Sequence, residues 1–344
     1  MCQFRTRLVL LSLALSVTLG SNVSMADDVL LQIDNDKVVD TDRHYTNGMR
    51  FAYTPTPPPS QKPTQLETTG STLARLSQFA DKNALRTGWA LGQEMYTPED
   101  VDVYVPNPND RPYAGWTYLG ITVQNDSKLG AESGADLQET FELDLGMIGP
   151  SSKAAQLQNA FHRLINVSVS RGWRSQIHDE PGILATRITK VRSKAEHLAG
   201  PDWLKYDFIS HGSAHLGNVK TAVSAGVTAR LGFNLHEDFG PIYGTFAVPQ
   251  KAPKNNSFAL FFGFDARAVA RDIFLDGNTF RKSADVKRNP FVAETRLGIS
   301  TNYHGPITRN KNVHFSIAMV NRTREFATQD KADRYGSLQA TVNF

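Results

Sequence analysis

Polar and apolar side chains alternate with a period of two in about a dozen segments of this chain of 344 residues. The last ten residues give the clearest case. One face of this segment holds Leu338, Ala340, Val342 and Phe344, and the other holds Ser337, Gln339, Thr341 and Asn343. A strand with one apolar and one polar face is typical of a transmembrane β-barrel. The alternation therefore constrains the fold to a sheet whose two surfaces meet different environments.

The strand candidates extend over the whole chain after the N-terminal segment. They lie near residues 29–35, 48–55, 87–96, 114–126, 138–149, 182–194, 204–215, 221–233, 257–271, 290–303, 312–325 and 335–344. Most have about ten residues or more, which suffices to cross a bilayer when the strand is tilted. We therefore expect an all-β fold, a single 12-stranded antiparallel transmembrane barrel with long loops on one side, one carrying a short helix. A soluble β-sandwich or lipocalin-like barrel is the alternative.

The first 26 residues have the pattern of a secretory signal peptide. Two arginines precede an apolar run over residues 8–19, and Ser24-Met25-Ala26 has the small-x-small spacing of a cleavage site. We expect this segment to be removed and residues 27–344 to form the barrel domain. An uncleaved anchor is the alternative.

Composition excludes several classes of function. Cys2 is the only cysteine and lies in the expected signal peptide, so neither a thiol nucleophile nor a disulfide is expected in the mature chain. Taking Arg5 and Arg7 from the 37 basic residues leaves 35, against 34 acidic residues. No basic run with interleaved aromatic residues occurs, so nucleic acid is not an expected partner. The sequence also lacks G-x-S-x-G, H-E-x-x-H and P-loop motifs.

Oxygen-rich side chains are concentrated between the first two predicted strands. The stretch Ile33–Gly48 contains Asp34, Asn35, Asp36, Asp40, Asp42, His44, Thr46 and Asn47. Hard cations such as Ca²⁺ need several oxygen ligands, and hydrolytic sites bring carboxamide, hydroxyl and imidazole groups together. A solvated, Asp-rich hairpin loop has the same composition. The local sequence leaves both interpretations open.

The longest connection, which follows the fifth predicted strand, contains a predicted helix over residues 151–165. Leu157, Phe161 and Leu164 form an apolar stripe at helical spacing, and Gln158 and His162 project together from a neighbouring face. Imidazole titrates near neutrality, so His162 is the best candidate for a general base, with Gln158 to orient it or a water molecule. A histidine on a solvated helix surface is the alternative. A second helical pattern covers residues 73–85.

Other residues allow a functional and a structural interpretation. Arg111 opens a strand after a long loop, where it could bind a substrate phosphate. Trp116 and Tyr118 follow it, and we interpret them as part of an aromatic girdle at the membrane interface. His211 and His215 share one face of a strand and are expected to line a polar lumen or to serve a structural role.

Four motifs, in this order, resemble the outer-membrane lipid A 3′-O-deacylase family. They are Asp34-Asn35-Asp36 with Arg43-His44-Tyr45-Thr46-Asn47-Gly48; Arg111-Pro112-Tyr113-Ala114-Gly115-Trp116; residues 158–165 with Gly172-Trp173; and His211 followed by residues 216–221. The closing strands also fit, so the resemblance covers essentially the whole mature chain. It implies a twelve-stranded outer-membrane barrel that uses Ca²⁺ to hydrolyse the ester of the 3′-linked acyloxyacyl group of lipid A.

The resemblance also implies roles for particular residues. His162 matches the histidine that activates water, with Gln158 one helical turn before it. Asn35 and Asp36 match the family's Asn-Asp pair, and Thr46 matches its hydroxyl residue. These three are therefore expected to bind Ca²⁺ or to position water.

One departure from the family pattern concerns the acidic residue that follows the histidine. Residues 166–174 contain no acid, so Glu180 is the expected substitute as a metal ligand. The implied substrate is lipid A or lipopolysaccharide, in the outer membrane of a Gram-negative bacterium, and we expect a monomer. An outer-membrane phospholipase and a non-enzymatic porin or adhesin barrel are the alternative functions.

Overall fold

The computed structural model describes most of residues 27–344. The described residues are 27–36, 44–55, 63–80, 85–129, 134–164, 169–198, 201, 203–235, 238–240, 255–308 and 311–344. The expected signal peptide lies outside these residues, and so do Asp40 and Asp42 of the oxygen-rich stretch.

Thirteen strands form within the described residues, and all neighbouring strands are antiparallel. They are β1 (Asp28–Asn35), β2 (His44–Thr54), β3 (Arg86–Thr97), β4 (Ala114–Lys128), β5 (Asp136–Ile148), β6 (Glu180–Arg192), β7 (Glu196–His197), β8 (Leu204–Gly217), β9 (Lys220–Phe233), β10 (Ser257–Asp272), β11 (Phe291–His304), β12 (Asn312–Arg322) and β13 (Asp333–Asn343). β1 pairs with β13 and β6 pairs with β8, which closes a ring of twelve strands. The two-residue β7 pairs only with β8 and lies outside the ring. The predicted 12-stranded barrel is confirmed.

Three α-helices lie in the described connections: α1 (Gln65–Leu76), α2 (Ala154–Leu164) and α3 (Ile273–Asp276). A 3₁₀ turn over Pro150–Ser152 precedes α2, within the predicted helical region. α1 begins and ends earlier than the predicted helix over 73–85, because Thr64 and Glu67 form a capping box that fixes its start. No helix among the described residues is long and apolar enough to cross a bilayer.

The connections that follow β1, β3, β5, β8, β10 and β12 lie at one end of the barrel, here called the loop end. Strand direction alternates around an antiparallel ring, so every second connection returns to the same end. The long connections 98–113 and 149–179, with α2, are at the loop end, and so is the two-residue link between β8 and β9. The opposite end carries the connection with α1 and the start of β1.

The outer wall of the barrel is apolar and the lumen is polar. On β10 the side chains of Phe258, Leu260, Phe262 and Phe264 are exposed on the outside. On β13 the polar side chains of Ser337, Gln339 and Thr341 are buried inside. This is the pattern of a barrel surrounded by hydrocarbon, and it is the reverse of a soluble barrel.

Ion pairs and aromatic rings fill much of the lumen. Arg50 forms a two-pronged pair with Glu142 across the strands, with N···O distances of 2.8 and 2.7 Å. A cavity of about 130 Å³ remains, and both His211 and His215 line it, as their shared strand face predicts. The described lumen is therefore a packed polar interior.

The expected girdle role of Trp116 and Tyr118 is wrong. Both side chains are buried in the lumen, where their rings stack with centroids 4.2 Å apart. The Tyr118 hydroxyl also accepts a hydrogen bond from Arg50 Nη1 at 3.1 Å. Alternation identifies two faces of a strand, and only the ion pairs on the neighbouring strands decide which face is inside.

Candidate active site on the outer wall

The ends of β1, β2 and β3 present polar side chains to the outside of the barrel. Asn35 pairs with Asn47, and Asn47 pairs with Met95. Residues that pair directly in an antiparallel sheet project from the same face. Their neighbours Asp34 and Glu94 point into the lumen, where Asp34 binds strand β13 and Glu94 lines the cavity. The row from Asn35 to Met95 therefore faces outward at the loop end.

A β-bulge adds a further side chain to this row. The β2–β3 register shifts between Tyr45 and Asn47, so Thr46 is the extra residue. The Thr46 and Thr97 hydroxyls lie 2.7 Å apart, and the Thr46 carbonyl accepts a hydrogen bond from Asn35 Nδ2 at 3.2 Å. Asp36 follows Asn35 directly and is only 1% exposed. Asn35 therefore contacts Thr46, and the grouping of Asp36 with them as metal ligands stays a prediction.

The segment that begins α2 is fixed to the outward face of β3 and β4. The Ser152 carbonyl accepts hydrogen bonds from Gln93 Nε2 at 2.9 Å and from Thr117 Oγ1 at 2.7 Å. Gly115 permits this close approach, because a Cβ at that position would lie 2.3 Å from the Cβ of Ala154. Gly115 pairs with Met95, so α2 starts beside the row from Asn35 to Met95.

α2 turns its polar face toward the barrel and its apolar stripe away from it. Ala154, Gln158 and His162 are 1%, 4% and 2% exposed, whereas Leu157 and Phe161 are 41% and 47% exposed. The spacing of both faces agrees with the sequence pattern. His162 is not a solvated surface histidine, because it is only 2% exposed. An exposed apolar stripe suits a helix that borders hydrocarbon.

An indole orients the amide of Gln158. Trp173 Nε1 donates a hydrogen bond to Gln158 Oε1 at 2.6 Å, which assigns the oxygen to the indole side. Gln158 Nε2 is buried and has no hydrogen-bond partner among the described residues. Trp173 packs with Tyr113, Met95 and Ala154 in one buried cluster. This cluster joins α2 to the outer wall, so α2 lies on the same outward face as the row from Asn35 to Met95.

The donor set at the strand ends fits a hard cation. It offers the Asp36 carboxylate, amide oxygens and the Thr46 hydroxyl, and Asn47 Oδ1 is buried without a hydrogen-bond partner among the described residues. Oxygen donors of this kind suit Ca²⁺, whereas Zn²⁺ favours histidine and cysteine. Within the described residues no group of three or more His, Cys, Asp or Glu side chains is arranged to hold a metal. A cation here would therefore depend on neutral oxygens and one carboxylate.

Glu180 lies at the start of β6, and other loops engage both of its oxygens. It accepts hydrogen bonds from Asn218 Nδ2 at 2.9 Å, from the Thr279 backbone N–H at 2.8 Å and from Asn278 Nδ2 at 3.2 Å. These contacts tie β6 to the connections after β8 and β10. They do not bring Glu180 to Asn35, Asp36 or Thr46, and its role as a metal ligand stays a prediction.

Arg111 belongs to a buried ionic cluster at the loop end. Its Nη1 lies 3.2 Å from Glu325 Oε2, and its guanidinium lies 4.6 Å from the centre of the Tyr96 ring. Burial opposes ionisation of Glu325, but the charges of Arg322 and Arg111 outweigh it and lower the pKa of Glu325 to about 2. Arg111 is 1% exposed in this arrangement, so its contact with a substrate phosphate stays a prediction.

A serine–histidine pair in the lumen was not predicted from the sequence. Ser213 Oγ lies 2.9 Å from His215 Nε2, and His215 Nδ1 lies 3.2 Å from Thr186 Oγ1. The sequence could have indicated the pair, since residues two apart on a strand project from the same face. The pair lines the internal cavity, away from the wall that meets lipid.

Comparison with known proteins identifies one family. A family model described as "Outer membrane protein LpxR" matches residues 8–344. Among solved structures, LpxR from Salmonella typhimurium is similar with a TM-score of 0.70 at 20% identity, covering 92% of this chain and 100% of that chain. The β domain of the Bordetella autotransporter Brka has a TM-score of 0.43 at 9% identity, with 93% and 98% covered. No curated protein sequence matches the chain.

Proposed function

Because this chain belongs to the LpxR family of outer-membrane proteins, we propose that it is a lipid A deacylase of the Gram-negative outer membrane. The proposed reaction is hydrolysis of the ester that holds the 3′-linked acyloxyacyl group. The observation that carries the proposal is the burial of His162 and Gln158 on the same face of α2 as Ala154, which packs against Met95 of the outer wall. Because this face lies outside the lumen, we expect a substrate to reach it from the surrounding membrane.

In the proposed mechanism the His162 imidazole takes a proton from a water molecule that attacks the ester carbonyl. The tetrahedral intermediate then collapses, the bond to the sugar oxygen breaks, and the imidazolium returns its proton to that oxygen. Trp173 fixes the Gln158 amide one helical turn before His162, with Nε2 available to orient the water or the carbonyl. The products are a free sugar hydroxyl and a carboxylic acid, which releases its proton to water and leaves as a carboxylate.

Asn35, Asp36 and Thr46 are the residues proposed to hold Ca²⁺. When bound, the cation would supply positive charge near the oxyanion that develops during attack. Asn47 Oδ1 is buried and has no hydrogen-bond partner in the part of the chain that the structure describes, which supports a cation at this position, because a buried acceptor without a donor is costly.

The described lumen gives less support to the other two functions. A porin needs an open channel, but ion pairs such as Arg50–Glu142 cross the interior and the cavity holds about 130 Å³. A serine phospholipase of the membrane needs a nucleophile that reaches lipid, but Ser213 and His215 face inward.

The direct test compares His162→Ala with His178→Ala, since His178 is an exposed histidine of the same connection. In cells that make the wild-type chain, mass spectrometry should show lipid A lacking the acyloxyacyl group. His162→Ala should reduce deacylation by at least about 10²-fold, as expected for loss of a general base, and His178→Ala should retain it. Full activity of His162→Ala would contradict its assignment as the base. Fatty acid release from glycerophospholipid with unchanged lipid A would replace the proposed function by that of a phospholipase.

A further inference from the structure

The face of α2 that carries His162 is bordered by an apolar flank. Leu157 and Phe161 directly precede Gln158 and His162, so each projects roughly 100° around the helix from the buried face. Both are exposed, at 41% and 47%. These two residues are called the α2 stripe below. The α2 stripe is on the exposed side of α2, and its Phe161 directly precedes the proposed base His162.

The opposite flank of α2 is polar. Asn159 follows Gln158, and its Oδ1 accepts a hydrogen bond from the Ser170 backbone N–H at 3.0 Å. Arg163 follows His162 and is exposed. α2 thus separates an apolar flank from a cationic flank, with His162 between them. This arrangement matches an amphipathic ester whose chain and polar head leave the carbonyl in opposite directions.

The segment that begins α2 borders the surface that faces hydrocarbon. Gln93 and Thr117, which bind the segment that begins α2, belong to one paired row with Met49 and Met147. The two methionines are exposed on the outer wall, at 39% and 37%. The next outward-facing row, toward the middle of the barrel, consists of Leu91, Leu119 and Leu145, and all three are exposed. α2 therefore starts at the edge of the lipid-facing band.

We infer that Leu157 and Phe161 bind the fatty acyl chain of the ester that His162 hydrolyses, and that they set the preference for chain length. This inference rests on the proposed function. A substrate chain that enters from the lipid-facing band reaches His162 across the α2 stripe, while the polar head lies toward Arg163. Burial of the chain against two large apolar side chains would favour long chains over short ones.

The test uses the purified full-length chain in detergent micelles, with lipid A as the substrate and mass spectrometry as the readout. Leu157→Asn and Phe161→Asn remove the stripe. Ala160→Asn is the matched control, since it places the same side chain at an exposed position of the same helix. The stripe variants should raise KM for lipid A about 10-fold, as for a lost hydrophobic contact, with kcat within about twofold. The control should keep both constants.

Four results would overturn the inference. Equal losses in Ala160→Asn and Phe161→Asn would indicate that the helix, and not the chain contact, was damaged. Loss of activity in phospholipid nanodiscs but not in micelles would indicate passive anchoring of α2 to the bilayer. A wild-type chain that leaves lipid A intact would remove the proposed function together with the inference, whereas an active wild type with unaffected stripe variants removes the inference alone. Heat-dependent mobility on SDS gels verifies that each variant forms the barrel.

Discussion

The lumen and the outer-wall site both bury polar side chains, but they use different chemistry. In the lumen, arginines pair with carboxylates, as in Arg230–Asp207, which share hydrogen bonds of 2.8 and 2.6 Å. At the outer wall the buried groups around α2 are mainly an imidazole, amides and hydroxyls. A charge pair whose hydrogen bonds are all made holds strands in register. It has few donors or acceptors left to bind a substrate or to transfer a proton. Neutral donors and acceptors can still exchange a proton or bind a cation, which favours the outer wall as the place for chemistry.

Substitutions at two glycines should give the largest difference between the lumen and the outer-wall site. Gly115→Leu should push α2 off the wall, because its Cβ would lie 2.3 Å from the Cβ of Ala154. We expect lipid A deacylation to fall by more than about 10²-fold with an intact barrel, since small misplacements of catalytic groups have effects of this size. Gly92→Leu should instead damage the barrel, because its Cβ would meet the Tyr118 ring in the lumen at 2.1 Å.

Mass spectrometry of lipid A and heat-dependent gel mobility separate the two outcomes. If Gly115→Leu prevented barrel assembly and Gly92→Leu only reduced activity, the division between structural lumen and functional wall would be wrong.

Removal of Ca²⁺ should affect only the outer wall. Chelation should abolish activity, and Ca²⁺ at 100-fold its Kd should stabilise the folded chain by about 2.7 kcal/mol. Asp36→Asn should remove this stabilisation, and Asp265→Asn, in the lumen beside His211, should retain it. Thermal unfolding with and without Ca²⁺ measures the effect independently of catalysis.

Glu180→Gln in the same assay decides whether Glu180 is a ligand. Loss of the Ca²⁺-dependent stabilisation would confirm the predicted ligand, and retention would leave Glu180 with its contacts to Asn218 and Thr279. A stabilisation that survives Asp36→Asn would place the cation elsewhere.

The smallest effect is expected from loss of a single hydrogen bond in each region. Trp173→Phe removes the donor to Gln158 but keeps a ring in the cluster, so kcat should fall about 10-fold with little change in KM. Tyr335→Phe removes a hydroxyl that binds Arg322 in the lumen at 3.1 Å and should leave kcat unchanged. Steady-state kinetics on lipid A checks both. Equal effects of the two variants would show that the lumen also controls the site.

Local periodicity predicted most of the architecture. The period of two located all twelve strands of the ring, and the spacing of Leu157, Gln158, Phe161 and His162 located α2 and its two faces. Periodicity could not assign the inside of the barrel, because both faces of β4 carry apolar residues. Trp116 lies on the same side of the wall as the Arg50–Glu142 ion pair, which must be inside. That pair joins strands that are distant in sequence, so the local pattern of β4 does not show it.

The candidate site was predictable only in part. The resemblance to a family grouped Asn35, Asp36 and Thr46, whereas the alternation of β2 alone gave no sign of the bulge. The sequence identifies Trp173 only as part of a motif, and its hydrogen bond to Gln158 depends on how the connection after β5 folds back. The contacts of Glu180 likewise depend on the connections after β8 and β10.

The bulge in β2 increases the number of side chains with oxygen atoms that leave the wall at one place. An unbroken strand offers one side chain to a given face only about every 6.6 Å, since each residue advances about 3.3 Å. Ligand atoms on one ion at about 2.4 Å lie no more than about 4.8 Å apart, so two such side chains must lean toward each other to share it. With one extra residue at Thr46, two consecutive side chains, Thr46 and Asn47, leave the sheet on the same side. Deletion of a single residue here would restore a regular ladder and would leave the strand end too sparse in oxygen to chelate.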